Sequence, residues 1–200
     1  MSVAEKKKHY SVAEYLAMEV MADHRSEYFD GEIYAMSGGT LNHSRICRNI
    51  ARTVEVALDG TSCEVFGQDL AVWLQSENSF VYPDLSVVCG PPEVMDKTNR
   101  QITNPFLIVE VLSESTEAFD RGGKFRMYRT LESLKSYVLI DQWDAIVEVY
   151  RQDKNGEWRF HSYNGMDSSI HLPNLNVELT LADIYRRVDF EPRKKLKASE

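Results

Sequence analysis

The sequence predicts an α/β fold with a central mixed β-sheet flanked by helices. Three observations carry that expectation. "FLIVEVL" at 106–112 is apolar at every position except Glu110, which implies a strand buried on both faces. Ile46, Ile50, Val54, Ala57 and Leu58 recur at helical spacing between Leu41 and Leu58. The elements run helix, hairpin, helix, strands, helix, strands; this is not a strict βαβ alternation, so the sheet should be mixed.

Each element has its own local reason. Ser11 followed by Glu14 has capping-box spacing, so a short helix is expected over 11–21. In "EYFDGEIYAM" the Asp30-Gly31 pair lies between strand-forming residues, the strongest short hairpin signal. "SGGT" at 37–40 reads as a turn, although Gly38-Gly39 before a helix could also present free N–H groups to a phosphate. The main helix then runs to Asp59-Gly60, which ends it. "CEVFG", "LAVWL" and "LSVVC" follow as strands, Pro91-Pro92 breaks the series, and a polar connection leads to Pro105. After the 106–112 strand a helix is expected from Thr116 to Thr130, packing through Phe119, Phe125, Met127 and Tyr128. Gly122-Gly123 weaken that helix by about 1 kcal/mol each. "SYVLID", "IVEVYR" and "WRFHSY" are three more strands, and "TLADIY" is one helical turn capped by Thr180. With no repeat or linker, one domain is expected over 1–200, its core at about 10–187. Basic tails lie at both ends: Lys6-Lys7-Lys8, and Arg193-Lys194-Lys195 with Lys197.

Composition narrows the function classes. The net charge of −8 argues against passive coating of nucleic acid, which needs a positive field. It does not exclude a nuclease, whose carboxylates hold metal ions that supply the positive charge. No apolar stretch is long enough for a membrane span, so no membrane partner is expected. The basic N-terminus has no apolar segment behind it and is not a secretory signal. Cys47, Cys63 and Cys89 form no CxxC pair; an odd count without metal spacing implies reduced thiols in a cytoplasmic protein.

Glu110 is the anomaly of its strand. Burying an unpaired carboxylate costs several kcal/mol, so Glu110 needs an ion-pair partner or a metal. "VYPDLSVV" sets Asp84 at the mouth of a second apolar strand. If the two strands are neighbours, the carboxylates converge at one end of the sheet, and a divalent cation relieves their repulsion. Hard oxygen ligands suit Mg²⁺ or Mn²⁺. "DRGGKFRMY" places Asp120 and Lys124 four apart on one helix face. That spacing gives a surface ion pair. Alternatively Lys124 reaches the metal site, where it would orient a water or stabilise charge developing on a phosphate. His9, His24, His161 and His171 have no ligand spacing. Trp73, Trp143 and Trp158 are expected to pack. Ser113 and Ser115 have no His–Asp partner set, so a serine hydrolase is not supported.

Pro83-Asp84, Glu110 in "IVEVLS", Asp120…Lys124…Tyr128 and then "SYVLID" resemble the Uma family of restriction-endonuclease-like proteins, assigned to the PD-(D/E)XK nuclease superfamily. "SEYFDGEIYAM" with His43 after it, and "LPNLNVELTLADIY", resemble the same family, so the likeness covers roughly residues 10–187. It implies a restriction-endonuclease-like core with metal held by Asp84, Glu110 and the backbone carbonyl of Val111. It also implies Glu27 as a further acidic residue near the metal, and His43 and Gln68 near the substrate. From the residues alone, His43 could equally be an ordinary capping or exposed histidine. The superfamily pattern has a lysine two residues after the glutamate, where this sequence has Leu112. The resemblance implies that Lys124 of the following helix takes over that role.

The expected activity is therefore metal-dependent hydrolysis of DNA phosphodiester bonds by an endonuclease. A homodimer is expected, because cutting both strands of a duplex favours two-fold symmetry. The alternative is a catalytically inactive nuclease-fold module that binds nucleic acid or a protein partner; Leu112 and the acidic charge motivate it. A plain structural domain with Glu110 in an ion pair is the third reading.

Overall fold

The computed structural model describes residues 8–36, 38–98 and 100–190. The basic tails, Lys8 excepted, lie outside the described residues. Helix α1 (Val12–Met21) opens with the expected capping box: Ser11 caps Glu14, and the Glu14 carboxylate accepts from the Ser11 N–H at 2.8 Å. Strands β1 (Ser26–Phe29) and β2 (Glu32–Ala35) form the expected hairpin. Asp30 and Gly31 both have positive φ, +42° and +97°, which the tight turn requires and which Asp-Gly tolerates. Helix α2 (Leu41–Ala57) starts at Thr40, whose hydroxyl accepts from the His43 N–H, and buries Ile46, Ile50 and Val54.

Strands β3 (Cys63–Gly67), β4 (Ala71–Leu74), β5 (Ser79–Val81), β6 (Leu85–Cys89), β7 (Gln101–Ile102) and β8 (Leu107–Val111) follow. Next comes one continuous helical stretch: α3 (Glu117–Phe119), a wide π turn (Asp120–Lys124) and α4 (Phe125–Tyr128). Strands β9 (Ser136–Ile140), β10 (Ile146–Gln152), β11 (Trp158–Asn164), β12 (Ser169–Leu172) and β13 (Val177–Thr180) precede α5 (Leu181–Ile184), capped by Thr180 as expected.

The main sheet has six strands in the order β11-β10-β9-β8-β6-β3. Only the β8–β9 pair is parallel, so the sheet is mixed, and β8 lies inside it. A second sheet runs β2-β1-β5-β4-β7, and β12 pairs with β13. The alternation of β8 sends Leu107, Val109 and Val111 to one face, where α2 packs with α5, β12 and β13. Ile108 and Leu112 join the other core, with Tyr128, Met127, β4 and β5. Glu110 shares that second face. Trp73 stacks on Phe80, Trp158 meets Phe125 edge-on, and Trp143 packs on the second core, as expected of packing residues.

Two expectations are corrected. Cys63 and Cys89 are joined by a disulfide rather than being reduced thiols. They stand opposite each other in the β3–β6 register, a proximity that their separation of 26 residues does not reveal. The polar connection after Pro92 contains β7, which adds to β4 in parallel. Strands β5, β7, β12 and β13 are only two to four residues long, too short to show a period.

Candidate active site

Antiparallel pairing of β6 with β8 sets Leu85 opposite Val109. One step further along that register, Asp84 faces Glu110. Two sequence positions 26 apart thus become neighbours at one end of the sheet. The Asp84 carboxylate accepts a 2.7 Å hydrogen bond from the Val111 N–H, which ties it to the strand that carries Glu110. Gly67 pairs with Leu85, so Gln68 leaves β3 at the same end of the sheet. Gln68 is exposed, and no polar contact joins it to the carboxylates among the described residues.

The helical stretch over 117–128 crosses the face that Glu110 shares. Lys124 Nζ lies 2.9 Å from Glu27, 3.2 Å from Glu110 and 3.5 Å from Asp120. The Tyr128 hydroxyl donates to Glu110 at 2.9 Å. Glu27, from β1, also accepts from the Tyr82 N–H at 3.2 Å, so the second sheet is drawn into the site. Lys124, Glu110 and Asp120 are only 5%, 4% and 2% exposed, so these are buried charges and not the surface ion pair that Asp120–Lys124 spacing alone would allow. The π turn widens the helix at the residues that supply two of the four charges, a placement such turns often have.

Electrostatics follow from the burial. Burial raises the Glu110 carboxyl well above its usual range; Lys124 opposes this, while Asp120, Asp84 and Glu27 add to it. Burial likewise raises Asp120, against the pull of Lys124. Burial pulls the Lys124 ammonium down, but Glu110, Glu27 and Asp120 outweigh it and the net shift is upward. Lys124 therefore stays charged.

His43 completes the other side. Its Nε2 lies 3.3 Å from Asp84, and Cys47 Sγ lies 3.4 Å from its Nδ1. Burial pulls the imidazole down, but the Asp84 carboxylate and the Val111 carbonyl prevail and raise it. A chain of hydrogen bonds holds α2 here: the Thr40 hydroxyl donates to Gln142 Oε1 at 2.5 Å, and the buried Gln142 Nε2 donates to the Leu112 carbonyl at 2.6 Å. His43 is thus half-buried against Asp84 and not an exposed cap. Cys47 and Gln142 were missed in the sequence. Cys47 had a signal, since it stands four residues after His43 on one helix; Gln142 had none.

The donor set fits a hard divalent cation. Three carboxylates surround a single ammonium, and a fourth, Asp84, stands beside them, tied to the Val111 N–H. Asp84, Glu110 and the Val111 carbonyl offer the oxygens that Mg²⁺ or Mn²⁺ takes.

A mixed sheet with one carboxylate at the mouth of an inner strand, another within its neighbour, and a buried lysine from the next helix defines a restriction-endonuclease-like class. The chain belongs to the Uma2 family, described as "Putative restriction endonuclease", whose model matches residues 12–183. It is 38% identical over 180 residues to the uncharacterized protein slr1290 of Synechocystis sp., covering 90% of this chain and 93% of that one. It is 34% identical over 177 residues to a second, sll1609, covering 88% of this chain and all of the other. The crystal structure of "a putative nuclease belonging to DUF820" from Anabaena variabilis shares the fold, with a TM-score of 0.68 at 18% identity. That likeness covers 88% of this chain and 97% of the other. Among the described residues no helix is long and apolar enough to cross a membrane.

Proposed function

We propose that the chain is a metal-dependent endonuclease that hydrolyses DNA phosphodiester bonds. The observation that carries this reading is the buried Lys124 ammonium held by Glu27, Glu110 and Asp120 beside Asp84. Family membership and the shared fold agree with it. Asp84, Glu110 and the Val111 carbonyl would hold Mg²⁺ or Mn²⁺. When bound, such an ion stabilises charge on the phosphoryl oxygens and acidifies a water.

The protein's own groups do the rest. Lys124 cannot serve as a base, because its neighbours keep it protonated. It donates hydrogen bonds, fixing a water or the phosphate oxygen on which charge develops. Glu27 holds the ammonium in place and is the carboxylate available to accept a proton from that water. Tyr128 orients Glu110. Leu112, where the superfamily lysine would stand, is buried in the second core, and the helix supplies the ammonium instead. Duplex DNA as the substrate implies a two-fold dimer, so that two such sites meet the two strands.

The test is cleavage of supercoiled plasmid with Mg²⁺ or Mn²⁺. Asp84→Asn keeps an acceptor for the Val111 N–H but loses the charge, and should abolish cleavage with circular dichroism unchanged. Lys124→Met should lower the rate by about 10²–10³-fold. Cleavage that persists in Asp84→Asn would sink the mechanism.

A further inference from the structure

The hard-oxygen site leaves two softer donors unexplained. His43 and Cys47 project from one face of α2, four residues apart, toward Asp84. One ring nitrogen of His43, the Cys47 sulfur and one Asp84 oxygen all lie within 4.8 Å of one another. Zinc bonds of about 2.0–2.3 Å place ligand atoms roughly 3.3–3.7 Å apart in a tetrahedron. His43 Nε2 lies 3.3 Å from Asp84 and Nδ1 lies 3.4 Å from the Cys47 sulfur, so each ring nitrogen has one partner near that spacing. A single ion would take one of the two nitrogens and draw the three ligand atoms, already within 4.8 Å of one another, closer together. The three groups are half-buried, which leaves a fourth position for water. Imidazole and thiolate suit Zn²⁺ and not Mg²⁺. The support is rigid too: the Thr40–Gln142–Leu112 chain fixes the start of α2, and the Val111 N–H fixes Asp84.

We propose that His43, Cys47 and Asp84 form a second, zinc-binding site that shares Asp84 with the proposed Mg²⁺ site. The zinc site stands on its own residues; only the sharing of Asp84 rests on the nuclease reading. Binding converts the Cys47 thiol to a thiolate, and its proton leaves to solvent.

The experiment uses protein purified without reductant, so that Cys63 and Cys89 stay bonded. Co²⁺ is titrated as a spectroscopic stand-in, then displaced with Zn²⁺. A sulfur-to-cobalt charge-transfer band that saturates at one ion per chain and vanishes with Zn²⁺ is expected. Cys47→Ser should remove the band, and both Cys47→Ser and His43→Gln should weaken Zn²⁺ binding by more than about tenfold. Should either variant misfold by circular dichroism, the wild-type spectrum still decides. Glu110→Gln should keep the band while losing Mn²⁺ binding. Absence of the band in the wild type, or its persistence in Cys47→Ser, overturns the proposal. Mn²⁺ binding that needs Asp84 and Glu110, without a cobalt–sulfur band, ends the zinc site and leaves the nuclease reading intact; the band without such Mn²⁺ binding does the reverse.

Discussion

At the scale of single residues, Glu110 shows how a site sets function against stability. Its carboxylate is buried among three others, while Lys124 and the Tyr128 hydroxyl favour its charged form. Burial raises Glu110 and Asp120 above their ordinary values, so the folded protein binds protons more readily than the unfolded chain. Stability of the metal-free protein therefore falls as pH rises from the ordinary carboxylate range through the raised folded values. Glu110→Gln removes one such charge and leaves Lys124 paired with Glu27 and Asp120. It should stabilise the metal-free protein by about 1–2 kcal/mol near neutral pH, with a smaller gain in acid. Thermal unfolding across pH checks this; a loss of stability at neutral pH would mean that the Lys124 and Tyr128 contacts outweigh the crowding. Glu110 was legible in the sequence because an acid inside an apolar strand breaks a pattern. Cys47 left a weaker trace, its place four residues after His43, since a lone cysteine on a helix breaks no pattern.

At the scale of elements, the helical stretch over 117–128 accommodates Gly122-Gly123 by widening into a π turn instead of ending there. A Cβ at Gly122 would meet nothing within 4 Å, and its backbone φ is not in the left-handed region. Gly122→Ala should therefore raise stability by about 0.5–1 kcal/mol, measured in urea, without changing Mn²⁺ affinity. A fall in affinity would show that the turn needs the freedom of glycine to aim Lys124. Helix α2 offers the complementary case. Thr40 both caps the helix and bonds to Gln142. Thr40→Val should cost about 1–2 kcal/mol, and should also lower metal affinity by releasing His43. The cap was readable only as a turn before a helix. Its second bond was not readable, because Gln142 lies 102 residues away.

At the scale of the whole molecule, the two sheets are joined at the site itself: Glu27 from one meets Lys124, which spans the other. The disulfide ties the edge strand β3 to β6, at the end away from Asp84. Closing a loop of this length stabilises by about 3 kcal/mol, so reduction should lower the urea midpoint while leaving the carboxylate site formed. Equal midpoints in oxidised and reduced protein would show the bond to be unnecessary to the fold. By itself the sequence determined the identity of the main elements, the burial of β8, and the placement of Asp84 and Glu110 on inner strands. Those features are written in local periods, caps and turn residues, each spanning a few positions. Tertiary structure alone decided that Asp84 faces Glu110, that Lys124 serves three carboxylates, that His43 and Cys47 close on Asp84, and that Cys63 meets Cys89. Each of these depends on strand order and register, which bring together residues far apart in the chain and leave no mark on the local pattern of either.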